Sequence, residues 1–213
     1  MNETRWDERY TQSEVFEKKQ EGFDELIKLL KREKTNRVLD LGCGSGRNLL
    51  PLVEAGFQVT GTDNSSALLE FTRKRLEERG LNAELKESDC YERFPFKDGY
   101  FDAVVSIQVI HHNTHDKIKH CISEIERVLK PNGIIFITVT TDSYKKKERK
   151  LKKVAPQTYV PQAGREKGIT HYIYRKEQLE EDFNKFEILK LFEGASYYID
   201  DANHYCILGR LKA

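Results

Sequence analysis

Seven short runs dense in Val, Ile, Leu, Phe and Tyr are spaced along the chain: Arg37–Leu41, Gln58–Thr62, Ala83–Lys86, Phe101–Ile107, Gly133–Thr138, Phe186–Phe192 and Tyr205–Leu211. Their length and flanking Gly, Asp and Asn residues predict strands. Between several of them the apolar period changes to that of a helix. Ser65–Arg79 is one such segment, with Ser65 or Ser66 to cap its start and Gly80 to end it. Lys117–Leu129 is another, placing Ile118, Cys121, Ile122, Ile125, Val128 and Leu129 on one face. Lys130-Pro131-Asn132-Gly133 then predicts a turn. Strands alternating with helices predict an α/β architecture with a mostly parallel sheet. The last two strands have no helix between them and predict an antiparallel hairpin at the sheet edge.

Two stretches break the alternation. Ser13–Arg32 reads as one long amphipathic helix, so that residues 1–35 form a helical lid placed to cover a ligand site. Thr141–Lys176 is a longer excursion with Pro156, Pro161, Gly164 and Gly168, and interruptions of that length in compact domains usually carry function. It contains the basic run Lys145–Lys153, which reads first as a solvated helix face and second as a grip on a nucleic-acid backbone.

Composition narrows the classes. The 213 residues suit a single domain, 1–213. With 36 Lys and Arg against 35 Asp and Glu the net charge is +1, so no global field draws nucleic acid or an anionic membrane. The apolar run Ile134–Ile137 falls far short of the roughly 18 residues that cross a bilayer. The first twelve residues are rich in Glu, Arg and Asp and do not read as a signal peptide. Cys43, Cys90, Cys121 and Cys206 form no CxxC pair and lack zinc spacing, so reduced thiols in a cytoplasmic protein are expected and no metal ligands are assigned.

The most informative stretch is Val38-Leu39-Asp40-Leu41-Gly42-Cys43-Gly44-Ser45-Gly46, a buried strand running into a glycine-rich turn that opens a helix bearing Asn48, Leu49, Leu50 and Leu52. The spacing GxGxG differs from the GxGxxG of dinucleotide sites, and the chain holds no GxxxxGK[ST]. Asp40 ahead of the glycines would repel a pyrophosphate but suits a ligand carrying an ammonium and a sulfonium group. Asp63 ends the second strand, about 20 residues on, where an acid accepts hydrogen bonds from ribose hydroxyls. Ser88-Asp89-Cys90 ends the third, with Asp89 available to an adenine amino group. A single acid after a strand is more often a turn residue. Three of them at the ends of three successive strands mark the carboxyl edge of an open sheet, where ligands bind.

Asp40–Gly46, Asp63, Asp89, Phe101-Asp102-Ala103-Val104-Val105 and Arg127-Val128-Leu129-Lys130-Pro131-Asn132-Gly133 together resemble the motif series of class I S-adenosylmethionine-dependent methyltransferases, of the methyltransferase type 11 kind, over about residues 36–140. The resemblance implies a Rossmann-like, doubly wound, seven-stranded sheet with an antiparallel C-terminal hairpin. It implies S-adenosylmethionine as cofactor and S-adenosylhomocysteine as product. Carried over residue by residue, it places Asp40, Gly42, Gly44 and Asn48 about the methionine end, Asp63 at the ribose, Asp89 and Cys90 at the adenine, and Gln108 along the site after the fourth strand, with Cys43, Gly46, Asn64 and Ser65 also among the cofactor-binding residues. Trp6-Asp7-Glu8-Arg9-Tyr10 resembles the N-terminal segment that folds over the cofactor in tellurite- and thiopurine-type enzymes, implying a contact from Tyr10.

For the acceptor the residues themselves offer less. His111 and His112 follow the fourth strand at the edge where the methyl group should project, and an imidazole there is expected to take a proton near neutral pH. His115 reads as a helix start, and His171, Tyr172 and Tyr174 as an aromatic wall or as core. The expected activity is methyl transfer to a small molecule. A wobble-uridine-type tRNA methyltransferase, which the stretch His171–Leu179 faintly resembles, is the runner-up; a non-catalytic S-adenosylmethionine-binding module and an NAD-dependent oxidoreductase are the remaining rivals.

Overall fold

The computed structural model describes residues 19–145, 150–164, 166–195 and 203–213. Its main sheet has seven strands: β1 (Arg37–Leu41), β2 (Gln58–Asp63), β3 (Glu84–Glu87), β4 (Phe101–Ile107), β5 (Leu129–Thr140), β9 (Phe186–Ala195) and β10 (Asn203–Leu211). Their spatial order is β3-β2-β1-β4-β5-β10-β9. The first five are parallel, while β10 runs antiparallel to both β5 and β9. The expected doubly wound sheet with its closing hairpin is therefore present, with β9 at the edge. The turn expected at Lys130–Gly133 lies inside β5 as a register irregularity against β4, with Asn132 at φ +63°.

Burial on both faces follows from side chains that alternate up and down along each strand. On β5, Ile134 and Phe136 join one core, while Ile135, Ile137 and Val139 join the other. The first core is filled by α1 (Phe23–Arg32), α2 (Leu49–Glu54) and α3 (Ser66–Glu78). The second is filled by α4 (His115–Val128) and α5 (Lys176–Asp182). Ser65 caps α3, its hydroxyl accepting from Leu68 N at 3.0 Å.

Two expectations are corrected. Gly22, at φ +82°, precedes the start of α1 at Phe23, so the helix expected over Ser13–Arg32 does not run continuously. In a left-handed backbone the next turn cannot propagate. Moreover, α1 is no lid: Phe23, Leu26, Leu29 and Leu30 are buried against the sheet, with Phe23 edge-on to Phe136 at 6.3 Å. Residues 1–18, and with them Trp6 and Tyr10, lie outside the described residues. Secondly, the excursion after β5 is not a basic helix. A 3₁₀ turn (Asp142–Lys145) leads to a small antiparallel sheet of β6 (Leu151–Ala155), β7 (Thr158–Pro161) and β8 (His171–Tyr172), with Lys152 and Lys153 exposed on β6. Residues 146–149 of the basic run are outside the described set.

A bidentate ion pair within α4 reaches out by further hydrogen bonds to the loop that follows β3. The Arg127 guanidinium donates to both Glu124 oxygens at 2.8 and 2.6 Å, to the Phe94 and Phe96 carbonyls, and to Asp98, while Glu124 also accepts from Phe94 N. Arg127 holds the Glu124 carboxyl below its usual range. Arg127→Leu would leave that carboxylate, only 9% exposed, without its counter-charge. A loss of about 3 kcal/mol is expected in urea denaturation at pH 7. Because a depressed carboxyl stabilises the fold above its unfolded pKa and ceases to do so as pH falls through the folded value, the deficit should shrink in acid.

Candidate active site

The strand order reverses between β1 and β4, so the loops leaving their carboxyl ends diverge and open a crevice. It is a cleft of about 790 Å³ that continues under the β6–β8 insert. On one side, Gly42, Cys43, Gly44, Ser45 and Asn48 follow β1, Asp63 and Asn64 end β2, and Asp89 and Cys90 follow β3. Gln108, His111 and His112 come from the loop after β4. The structure thus gathers most of the sequence-predicted residues into one cleft.

The glycine loop is held by hydrogen bonds its own sequence does not reveal. Gly42 N and Cys43 N donate to Thr62 O, Thr72 Oγ1 donates to Gly44 O at 2.7 Å, and Arg75 donates to Ser45 O at 2.8 Å. Asp63 accepts from Gly44 N at 2.9 Å and from Ser65 N at 3.0 Å, which fixes its carboxylate at the rim. Asp89 accepts from Tyr91 N, and Tyr91 Oη donates to Val109 O, joining the β3 and β4 loops.

Asp40, Gly46 and Ser65 do not line the cleft. A Cβ on Gly46 would lie 2.5 Å from Leu50 Cδ1 and 2.9 Å from Thr72 Cγ2, so this glycine serves close packing of the loop on α2 and α3. Asp40 is buried beneath the loop. Burial pushes its carboxyl up to about 7, opposed by Arg47 and reinforced by Asp63. Buried Asp40 Oδ2, Asn48 Oδ1 and Gln108 Nε2 have no hydrogen-bond partner. Such atoms are costly to leave unmet, and those of Asn48 and Gln108 belong to residues that line the cleft.

The far end of the cleft is made of imidazoles. Gln108 leaves β4 at φ +61°, its N–H donating to Thr138 Oγ1, and this turn directs the following residues inward. The His111 and His112 rings lie 4.1 Å apart, and His112 Nε2 donates to Gln108 O at 3.1 Å. His171 from β8 sits 4.6 Å from the His112 ring, and His204 from β10 sits 5.6 Å from the His111 ring. Glu166 accepts from Tyr144 Oη at 2.7 Å and lies 3.2 Å from His171 Nε2. Burial, aided by the neighbouring imidazoles, lowers His111 well below the ordinary value and His112 to about 3. His204 is held at about 4, again chiefly by burial. Burial raises Glu166, but the hydrogen bonds and charge around it outweigh that and hold it at about 2.

These directions correct the expectation that His111 or His112 titrates near neutrality. Both are neutral at pH 7 and present ring lone pairs rather than charge. Tyr144, Glu166 and His204 were missed in the sequence. His115 pairs with Asp182 at 2.7 Å and stacks on Tyr172 at 4.5 Å, outside the cleft. Tyr172 and Tyr174 belong to the core rather than to an aromatic wall. All four cysteines are free thiols. Among the described residues no helix is long and apolar enough to cross a membrane.

A doubly wound sheet with a nucleoside-sized cleft at its switch point defines a class of cofactor-binding α/β proteins. The profile of the family described as "Methyltransferase domain" matches residues 38–133. The chain is 35% identical over 113 residues to the demethylmenaquinone methyltransferase of Thermus thermophilus, covering 52% of this chain and 50% of the relative. It is 37% identical over 103 residues to a mouse protein named "Probable tRNA methyltransferase 9B", covering 48% of this chain and 21% of the relative. The chain spans about half, or less, of the length of the curated relatives it matches. A structure of magnesium protoporphyrin IX methyltransferase from Synechocystis with S-adenosylhomocysteine bound superposes at a TM-score of 0.70 and 16% identity, covering 98% of this chain and 93% of that one. Residues 38–133 match the methyltransferase-domain family, and the sheet has the fold of class I S-adenosylmethionine-dependent methyltransferases. The cofactor of that family is S-adenosylmethionine.

Proposed function

We propose that the protein transfers a methyl group from S-adenosylmethionine to a small-molecule acceptor by in-line displacement. The observation that carries this reading is the shape of the acceptor end. The β6–β8 insert contributes Glu166, Ile169, Thr170 and His171 to the cleft, opposite His111, His112 and Tyr144, so the space beyond the glycine loop is walled by buried and half-buried side chains. Such walls suit a compact acceptor better than a nucleotide held in a folded RNA.

When bound, S-adenosylmethionine supplies a methyl carbon activated by its sulfonium, whose departure as a neutral thioether needs no general acid. The residues that would hold it are Gly42, Gly44 and Asn48 at the methionine end, Asp63 at the ribose, and Asp89 with Cys90 at the adenine; the buried Asp40 carboxylate would favour the positive charge from beneath the loop. The chain's remaining work is to place a nucleophile roughly 3 Å from the methyl and to exclude water. His111 and His112, neutral and set in the cleft wall, would accept hydrogen bonds from the acceptor and orient it rather than remove a full proton.

The test is an acceptor screen on purified protein that follows release of S-adenosylhomocysteine, with unmodified tRNA among the candidates. Turnover of a small acceptor supports the proposal. Turnover of tRNA alone, with RNA binding lost when Lys150, Lys152 and Lys153 are neutralised, would establish the rival reading. With an acceptor in hand, His111→Asn and His112→Ala should leave cofactor affinity within about two-fold. At least one should slow transfer roughly 10-fold or more, as loss of a positioning contact does. Two fully active variants would remove both residues from the acceptor site.

A further inference from the structure

We propose that His111, His112 and His171 form a binding site for one divalent first-row transition-metal ion, of the zinc type, at the acceptor end of the cleft, with Glu166 in reach as a fourth ligand. One ring nitrogen of each of the three histidines lies within 4.8 Å of the others. A loaded tetrahedral site, with metal–nitrogen bonds of about 2.0–2.1 Å, is tighter than this. Binding would therefore draw the rings inward by small torsional movements, which the open side of the cleft permits.

The surroundings of the rings make the site more than a coincidence of three histidines. Metal-binding imidazoles characteristically donate their second N–H to a fixed carbonyl, which sets the tautomer and aims the other nitrogen at the ion. His112 Nε2 is 3.1 Å from Gln108 O, so the neutral ring carries its lone pair on Nδ1. His171 Nδ1 donates to Ile169 O at 3.0 Å, which fixes the ring through that nitrogen and leaves Nε2 as the one available to an ion. A Glu166 oxygen lies 3.2 Å from that Nε2, close to the spacing of two neighbouring ligands on one tetrahedral ion. Glu166 is itself oriented by Tyr144 Oη at 2.7 Å. His111 Nδ1 is buried and without a partner.

Three imidazoles and a carboxylate form a borderline donor set, suited to zinc, cobalt, nickel or iron(II) and poorly suited to magnesium or calcium. A metal there would take the ring lone pairs that otherwise receive the acceptor's hydrogen bonds, and would itself offer a coordination position to a thiol, hydroxyl or carbonyl of that acceptor. This role rests on the proposed function, whereas the binding site itself does not.

The experiment uses the full chain, stripped with a chelator and then dialysed against zinc, with bound metal counted per chain. Cobalt(II) serves as a second probe because its visible spectrum reports nitrogen and oxygen coordination. One equivalent of zinc per chain is expected, with cobalt bands that zinc displaces. His112→Ala and His171→Gln should each weaken binding by more than the roughly 10–100-fold that loss of an outer partner costs. Exposed His120→Ala should leave it unchanged. S-adenosylmethionine affinity, measured on every variant, monitors folding independently. No stoichiometric zinc, or zinc binding indifferent to both cleft variants, overturns the inference. A protein that binds zinc but no S-adenosylmethionine would instead overturn the functional reading and leave the metal site standing.

Discussion

Gly44→Val is expected to abolish cofactor binding, lowering affinity at least about 100-fold, or about 2.7 kcal/mol, in a protein that remains folded. Gly44 sits at φ +52°, and a Cβ built on it meets no atom within 4 Å. The residue lines the cleft, so that open space belongs to the ligand. A valine there would fill it, and its β-branched side chain in the left-handed region would cost about 1–3 kcal/mol of backbone strain. The same strain would disturb the Gly44 N–H donated to Asp63 at 2.9 Å, which couples the loop to the acid at the end of β2. Gly46→Val should behave differently: its Cβ runs into Leu50 and Thr72, so its primary effect is on stability. Calorimetry with S-adenosylmethionine and thermal melts on both variants separate the two effects. Wild-type affinity in a folded Gly44→Val protein would remove the glycine loop from the cofactor site.

The sheet was legible because its central strands β1, β4 and β5 are buried on both faces and therefore read as apolar runs, and because acids at strand ends beside a glycine turn mark the carboxyl edge. Arg37–Leu41 and Phe101–Ile107 fall where the pattern put them. What was not legible depended on contacts distant in sequence. The helical period across Ser13–Arg32 is genuine on its C-terminal side, but Gly22 at φ +82° interrupts it, and a glycine alone does not announce its dihedral. The β6–β8 sheet carries lysines on exposed positions of β6, a pattern that an edge strand and a solvated helix share.

Several motif residues turned out to brace the fold. Asp102 accepts the N–H groups of Asn36 and Arg37 at 3.0 and 2.8 Å, tying β4 to the start of β1, and Arg127 pins the 94–98 loop to α4. They mark the family through architecture rather than chemistry. In the cleft, Asp63, Asp89 and Gly44 were visible because each sits at a strand end. Thr72 and Arg75, which hold the loop's carbonyls from α3, were hidden because nothing in a helical period distinguishes a side chain that reaches a neighbouring loop. The imidazole cluster was hidden for a related reason. His111, His171 and His204 come from three separate strand ends that only the order β4-β5-β10 and the inserted sheet bring together. The expected pH behaviour of His111 and His112 was wrong because exposure, not residue type, decides it: buried beside other imidazoles, neither ring can accept charge cheaply.

Asp40→Asn is expected to stabilise the cofactor-free protein at pH 8 and to bring no gain at pH 4. Burial pushes the Asp40 carboxyl up to about 7 from an ordinary value of 3.8. Below the ordinary value the acid is protonated in both folded and unfolded chains, and it carries no penalty. As pH rises, the unfolded chain ionises first, so stability declines until the folded carboxyl also ionises near 7. The full penalty is then about 4 kcal/mol as an upper bound, at 1.36 kcal/mol for each of roughly 3 pH units. Asparagine removes the charge while keeping the shape. After subtracting the lost attraction to Arg47 and the imperfect satisfaction of a buried amide, a gain of about 1–3 kcal/mol should remain at pH 8 in urea denaturation. The same variant should bind S-adenosylmethionine more weakly and S-adenosylhomocysteine with a smaller loss, because only the former carries the sulfonium charge that a buried carboxylate favours. A strained, ionised Asp40 in the empty protein is thus a stability cost that the cationic ligand offsets on binding. An Asn variant that is less stable than wild type by the same amount at every pH, or that weakens both ligands equally, would show that Asp40 serves the loop's structure alone.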